Sequence, residues 1–180
     1  MLAFLALPFW FESVLHRDQV QTGLRMTPWP VGVGLVAPLA GRLADRIPAA
    51  ILGSVGLAAL ATGLALLALL PADAGNVAIV WRVALCGLGF GFFQAPNNRT
   101  MLATAPRDRA GAAGGMLATA RLTGMTGGAT LAALVFRVAP HDAERVALLI
   151  GVALAVAGGF ASATRLSKRM RGGASADLSA

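Results

Sequence analysis

The sequence predicts an all-α membrane protein with six transmembrane helices. Hydrophobic residues make up 57% of the chain and charged residues only 13%, against about 25% charged residues in a typical soluble domain. Six apolar runs approach the roughly 20 residues that a helix needs to cross a bilayer, and none shows the alternation of a membrane β-barrel strand. These observations predict a helical bundle over residues 1–165 and a tail over residues 166–180.

The six predicted spans follow one another with short connections. Proline and glycine in the second span are compatible with a membrane helix, because neighbouring helices satisfy the freed backbone groups. The third span and most of the sixth contain no charged residue and suit positions facing lipid, whereas the first and fourth carry most of the polar residues. This period of three indicates two three-helix repeats, as in many transporters. The predicted spans are residues 1–15, 28–41, 49–70, 77–97, 111–136 and 145–164.

Loop charges predict the orientation of the chain. Nine of the fifteen Lys and Arg residues fall in the alternate loops 42–46, 99–109 and 165–171, and four fall in the other loops. Basic loops stay on the cytoplasmic side, so we expect an inner or plasma membrane protein with both termini in the cytoplasm. The net charge of +7 does not indicate nucleic-acid binding, because the basic residues lie between apolar runs and form no nucleic-acid-binding module.

Two further patterns concern the fifth span and the tail. Residues 111, 115, 119, 123 and 127 are Gly, Gly, Thr, Thr and Gly, a four-residue period of small side chains that favours close approach of a second helix. Residues 166–180 are basic and then rich in Gly, Ser and Ala. That composition predicts a disordered cytoplasmic tail whose basic part lies near anionic lipid headgroups.

A short charged motif closes the second span and is a candidate gate. Asp45 lies between two arginines and can form an ion pair that holds one conformation and breaks in another. The alternative is a solvated loop that only sets the topology. The candidate gating residues are Gly41, Arg42, Asp45 and Arg46.

Polar residues inside apolar spans are the other candidates, because hydrocarbon tolerates them only where protein or a water-filled cavity receives them. Glu12 is a proton carrier or cation-binding group, unless the first span ends near Phe11 and leaves it at the outer interface. Arg121 is either a paired functional residue or one whose side chain reaches the cytoplasmic surface. The polar end of the fourth span either binds substrate or bonds to neighbouring helices, and the aromatic residues either stack on a cation or only contact lipid and helices. The candidate cavity residues are Trp10, Glu12, Phe93, Gln94, Pro96, Asn97, Asn98 and Arg121.

Enzyme motifs are missing from the sequence. The two histidines are far apart, and no HExxH, GxSxG or P-loop pattern occurs. The glycines at 87, 89 and 91 lack the spacing of a dinucleotide fingerprint and lie inside a span. We therefore expect a protein that is not an enzyme and that has neither a metal nor a cofactor.

Three stretches carry a family resemblance. They are Leu7 to Leu24 with Pro28, Gly41 to Arg46, and Gly87 to Asn98 with Pro106, Gly111 and the Ala120-Arg121 pair. They resemble the major facilitator superfamily, and more narrowly the C-terminal half of its fourteen-helix EmrB/QacA-type drug:proton antiporters. The resemblance implies export of a small hydrophobic, often cationic solute in exchange for protons by alternating access.

The same resemblance assigns roles to the candidate residues. It implies that Arg42, Asp45 and Arg46 belong to a gating loop, and that the Gln94 to Asn98 segment lies near the cytoplasmic mouth of a cavity with Arg121 beside it. Glu12 departs from the pattern, since glutamine is expected there in many relatives.

The resemblance also implies that a complete transporter needs an N-terminal half. We therefore expect a fragment or a split half that works with such a partner. The alternatives are a non-transporting remnant or helix-packing subunit, and a six-helix unit that transports as a homodimer with a second copy.

Overall fold

All regular secondary structure in the described part of the chain is helical, which confirms the predicted all-α class. The computed structural model describes residues 2–13, 18–71, 74–106, 109–139 and 142–177, the last stretch by backbone alone beyond Thr164. The helices are α1 (Leu2–Ser13), α2 (Gln19–Met26), α3 (Pro28–Leu43), α4 (Ala49–Ala68), α5 (Asn76–Ala103), α6 (Ala110–Val138) and α7 (Ala143–Asp177).

Helices α2 and α3 are separated by the single residue Thr27. Pro28 is the first residue of α3, where a proline is favourable because its missing N–H has no helical acceptor in the first turn. The second predicted span is therefore α3, and α2 is an additional short helix that precedes it.

Three of the described helices are long and apolar enough to cross a membrane: α4, α5 and the Ala143–Thr164 part of α7. Helix α1 is apolar but short. Helix α6 has the length but not the apolar composition, because glycine, threonine and Arg121 interrupt its aliphatic residues.

Helix α5 packs between α3 and α4, and its alternate glycines explain how. Residues 87 and 91 are one turn apart and share a face, whereas residue 89 lies on the opposite face. A Cβ added at Gly87 would meet the backbone of Trp29 in α3, and one at Gly89 would lie 2.5 Å from the backbone nitrogen of Leu60 in α4. The glycines thus let α5 approach the backbones of two helices on opposite sides.

Helix α4 packs between α5 and α7 rather than facing lipid on most of its surface. In its apolar stretch 44% of the residues are buried, against 17% for α7. The hydroxyl of Ser162 in α7 donates to the Ala50 carbonyl at 3.1 Å, and Ser54 donates to the carbonyls of Ala50 at 2.9 Å and Gly159 at 3.4 Å. Of the two spans expected to face lipid, α7 is the one with the exposed surface.

Helix α6 joins the bundle only near its C-terminal end. Its two buried residues are Ala132 and Val135, which form an apolar cluster with Leu2 of α1 and the first turns of α7. The ring of Phe136 lies 4.9 Å from that of Phe9 in α1. The described part of α6 before this cluster is largely exposed.

The segment predicted to be a disordered tail is helical up to Asp177, because α7 continues without interruption past residue 166. Leu, Lys, Arg, Met and Ala are good helix formers, and no proline occurs in this segment to end the helix. The disorder of the cytoplasmic tail over residues 166–180 stays a prediction.

Candidate functional site

One ion pair ties the turn after α3 to the C-terminal end of α5. Asp45 Oδ1 lies 2.5 Å from Arg99 Nη2, and Arg99 Nη1 donates to the carbonyl oxygen of Gly41 at 2.7 Å. Backbone bonds from Asp45 N to Arg42 O and from Arg46 N to Leu43 O form the turn that presents Asp45. A single guanidinium therefore holds both the end of α3 and the following turn. We call residues 41–48 with residues 96–106 the Arg99 end of the bundle.

The partner of Asp45 differs from the one that the motif suggested. Arg42 and Arg46 are exposed, and the ion pair is made instead by Arg99, a residue that the sequence indicated only as a topogenic charge. Its side chain is 52% exposed and that of Asp45 is 57% exposed. Exposed ion pairs contribute about 0–1 kcal/mol, so this contact is weak enough to break and re-form.

The polar segment of α5 lies next to this ion pair. Pro96 is fully buried, and the side chains of Gln94, Asn97 and Asn98 are half-buried. A proline in a helix interior leaves one carbonyl without its usual donor, and the hydroxyl of Thr100 donates to the carbonyl of Pro96 itself at 2.9 Å. Pro96, Asn97 and Asn98 thus belong to the Arg99 end, and Gln94 lies just before it in α5.

The two aromatic candidates are packing residues in this structure. Trp10 is 9% exposed and belongs to the main core cluster, with its ring 5.4 Å from that of Phe11. Phe93 packs against a small cluster of α4 and α7 that contains Leu57 and Ala155. Neither ring lines the α6 groove described below.

Glu12 does not join the polar segment of α5. It is exposed and ends α1 next to Phe11, which packs in one cluster with Ala68 and Ile79. Ile79 lies in the first turn of α5, and at 1.5 Å per residue about 27 Å of helix separates it from Asn97. The structure therefore places Glu12 and the Gln94 to Asn98 segment at opposite ends of the bundle.

Arg121 lies on the exposed part of α6. Among the described side chains, no ion-pair partner of Arg121 is found, and the pair between Asp45 and Arg99 does not involve it.

A concave surface lies along one face of α6. This α6 groove has a volume of about 740 Å³. The hydroxyls of Thr119 and Thr126 donate to Gly115 and Leu122 carbonyls of the same helix, at 3.0 Å each. Its lining residues all come from one face of α6: Thr119, Leu122, Thr123, Thr126, Gly127, Thr130, Leu131 and Leu134.

The four-residue period of small side chains in the sequence predicted a helix-packing surface on part of this face. Cβ atoms added at Gly111, Gly115, Gly124 or Gly127 would meet nothing within 4 Å, so no described helix covers it. In the sequence, threonines that alternate with glycine and leucine could have indicated a helix face that lines a groove. The same spacing is also typical of helix packing.

Within the described ranges, no group of three or more His, Cys, Asp or Glu side chains is arranged to hold a metal ion. The candidate site consists of an ion pair, a polar helix segment and a groove.

Comparison with known proteins identifies the family. The "Uncharacterized transporter YebQ" of Escherichia coli (strain K12) is 46% identical over 168 residues, which are 93% of this chain and 37% of that protein. The "Riboflavin transporter RibZ" of Clostridioides difficile (strain 630) is 34% identical over 115 residues, 64% of this chain and 25% of RibZ. The "Multidrug resistance protein Stp" of Mycobacterium tuberculosis (strain H37Rv) is 32% identical over 105 residues, 58% of this chain and 19% of Stp.

The matched region therefore spans about a third or less of the length of these relatives. The family model described as "Major Facilitator Superfamily" matches residues 1–129, well over half of the chain. With its helical membrane fold, the chain belongs to the major facilitator superfamily of transporters.

Proposed function

We propose that this chain is the C-terminal half of an EmrB/QacA-type exporter, which moves a small hydrophobic, often cationic solute out of the cell in exchange for protons. Membership of a transporter family supports transport as the activity. A relative named for multidrug resistance supports a hydrophobic drug-like solute, and a relative named for riboflavin supports a second, planar aromatic solute class.

The observation that carries the proposal is the uncovered face of α6. Gly56 of α4 and Gly87 and Gly89 of α5 lie so close to neighbouring backbones that an added Cβ would clash, whereas a Cβ added at any of five glycines of α6 would meet nothing within 4 Å. A helix that exposes Arg121 and carries a groove of about 740 Å³ is poorly suited to hydrocarbon, because a charged group there needs protein or water. We infer that this face lines a solute path and is closed by a second helical unit.

The second unit is an N-terminal transporter half. The region matched to YebQ is 37% of that protein, so a relative of this size has ample further chain to form such a unit. A second copy of this chain is the other possible occupant and is an outcome of the experiment below.

Alternating access needs a contact that breaks between the two states. The Asp45–Arg99 pair has the required strength, since both side chains are more than half exposed and such pairs are weak. We propose that it holds the cytoplasmic side closed in the present conformation, and that both chain termini lie on that side, as the basic loops indicate.

Accumulation assays in cells that lack their own efflux pumps test the proposal. The probes are ethidium, a fluorescent lipophilic cation, and riboflavin. The chain is expressed alone or together with the part of YebQ that lies outside the matched region, which under the proposal supplies the N-terminal half. The export rate of each strain is divided by the amount of protein inserted in its membrane, which is measured separately.

Export that appears only with the N-terminal part supports the proposed half. Export from the single chain favours a homodimer instead. If neither arrangement exports either probe although both insert, the chain is a non-transporting remnant or packing subunit and the proposal is wrong. If export is coupled to protons, an uncoupler that collapses the proton gradient must abolish it. Export that continues in the presence of the uncoupler contradicts proton coupling.

A further inference from the structure

Arg82 is a charged residue inside the long apolar helix α5. The residue is half-buried, and its Nη1 donates to the carbonyl oxygen of Ala78 at 2.6 Å. Its Nε is buried and has no hydrogen-bond partner. Within the part of the chain that the structure describes, neither an ion pair nor a second hydrogen bond is found for Arg82, although a guanidinium carries several N–H donors. The charge therefore still needs an acceptor.

The depth of Arg82 in a bilayer follows from the length of α5. The 28 residues Asn76–Ala103 extend over about 42 Å, which matches the roughly 40–45 Å of a bilayer with its headgroups, and each headgroup layer takes about 5–8 Å of it. Arg82 lies about 9 Å from the start of α5, close to where headgroups meet hydrocarbon. The bond to Ala78 turns its side chain back toward the start of the helix, as arginines do when they reach for the nearer membrane surface.

The face of α5 next to Arg82 is uncovered. Val77, Trp81 and Leu88 are all exposed, and their spacing of four and seven residues places them on one side of the helix. The glycines that pack on α3 and α4 lie on other sides. A Cβ added at Gly63 of α4 would lie 3.4 Å from the carbonyl oxygen of Arg82. Arg82 therefore lies at the seam between α4 and this exposed row.

Trp81 supports a position at the membrane interface. The guanidinium carbon Cζ of Arg82 lies 4.4 Å from the centre of the Trp81 ring, a cation–π contact. Tryptophan is enriched at the level of the lipid headgroups, and the other two tryptophans, Trp10 and Trp29, are buried in the core. An exposed tryptophan and an arginine with unused donors thus lie together at headgroup depth.

We propose that Arg82, with Trp81 beside it, binds the phosphate of an anionic phospholipid such as phosphatidylglycerol at the seam between α4 and α5. The planar fork of a guanidinium matches two phosphate oxygens, and the phosphate neutralises a charge that hydrocarbon disfavours. An anionic lipid fits better than a zwitterionic one, because the headgroup of the latter carries its own cation. The occupant is a lipid because the seam opens on an exposed row at headgroup depth. The site goes beyond export, since it needs no step of solute transport.

Quenching of tryptophan fluorescence by brominated lipids tests the site. The full chain is reconstituted in vesicles of phosphatidylcholine and phosphatidylglycerol, with bromine on the acyl chains of one lipid or the other. Bromine quenches a tryptophan only at close range, so the buried Trp10 and Trp29 contribute little, and Trp81→Phe gives the background to subtract. The readout is the ratio of quenching by the anionic lipid to quenching by the zwitterionic lipid, which corrects for access to the ring.

We expect Trp81 to report a preference for phosphatidylglycerol of about fivefold, which corresponds to about 1 kcal/mol for one basic residue near the membrane surface. Arg82→Gln should abolish the preference. Arg137→Gln is the matched control, because Arg137 is also exposed but lies in the last turn of α6, and it should leave the preference unchanged. Equal quenching by both lipids in wild type overturns the site, and so does a preference that survives Arg82→Gln or falls equally in both variants.

Two further arms separate other occupants from the lipid. Millimolar inorganic phosphate should leave the preference of wild type unchanged, and its loss means that the site takes a free anion, which overturns the lipid proposal. The preference should also persist when the part of YebQ outside the matched region is present, and its loss there means that protein covers Arg82, which overturns it as well. None of these measurements depends on export.

A second substitution decides if Arg82→Gln does not fold. Arg82→Lys keeps the charge but lacks the planar fork of the guanidinium. The preference for phosphatidylglycerol is then expected to fall below that of wild type. An undiminished preference in Arg82→Lys contradicts a phosphate held by the guanidinium.

Discussion

Arg99 Nη2 lies 2.5 Å from Asp45 Oδ1, and the same guanidinium reaches the Gly41 carbonyl, so α5 is fastened to the end of α3 through one side chain. Arg99 and Gly41 are 58 positions apart in the sequence. Its position beside the half-buried Gln94 to Asn98 segment means that opening it exposes polar side chains of α5.

Asp45→Ala is expected to slow export about two- to fivefold, the effect of losing up to about 1 kcal/mol from an exposed pair. Membrane insertion should not change, because both side chains are more than half exposed. The measurement is the initial rate of ethidium export per inserted protein. Exchanging the two residues, Asp45→Arg with Arg99→Asp, should recover part of the rate, and equal rates in wild type and Asp45→Ala would rule out the gate.

Gly89→Ala is expected to destabilise the bundle by about 1–3 kcal/mol, the usual effect of overpacking. Its Cβ would lie 2.5 Å from the Leu60 nitrogen and 2.7 Å from the Gly56 oxygen. Gly124→Ala is the matched control, since its Cβ meets nothing within 4 Å. Thermal unfolding in detergent should show a lower midpoint for Gly89→Ala only, and equal midpoints would contradict the packing described for α4 and α5.

Arg121→Ala is expected to lower export about tenfold or more, which corresponds to roughly 1.4 kcal/mol, if the second unit supplies the partner of this residue. Folding of the chain alone should be unaffected, because Arg121 is exposed. Export rates with the N-terminal part present, and unfolding midpoints without it, separate the two effects. Near-normal export would mean that the side chain only reaches the membrane surface.

Thr123→Val is expected to change the ratio of ethidium to riboflavin export by about two- to tenfold, since one hydroxyl hydrogen bond is worth about 0.5–1.5 kcal/mol. The substitution keeps the side-chain volume of a residue that lines the α6 groove. Thr62→Val is the control: Thr62 is also exposed, but it lies on α4 and its hydroxyl donates to Ala58. An unchanged ratio in Thr123→Val, or an equal change in Thr62→Val, would remove the groove from the solute path.

The helical fold was predictable because long apolar runs leave few alternatives to membrane helices. The roles of single residues were harder to predict from the sequence. The motif around Asp45 indicated an ion pair, but its partner Arg99 could be found only once α3 and α5 were packed side by side. By contrast, the alternation of the loop charges already predicts that Glu12 lies toward the outer side and Asn97 toward the cytoplasmic side.

Small residues show the same limit most clearly. Both α5 and α6 carry several glycines, yet a Cβ added at Gly89 would meet a neighbouring backbone and one added at Gly127 would meet nothing within 4 Å. A period of small side chains permits close approach but does not supply the partner. The rest of the fold therefore decides which row of small residues packs against a helix and which row lines a groove.

The hydrogen bond from Ser162 to Ala50 bears on how the protein is made. Chains are synthesised from the N-terminus, so α4 enters the membrane long before α7 leaves the ribosome. Ser54 already has an acceptor within its own helix, whereas Ser162 finds its acceptor only when α7 reaches α4. Helix α7 thus carries a hydroxyl that finds its acceptor only after α4 is already in place, and this bond forms late in the assembly of the described bundle.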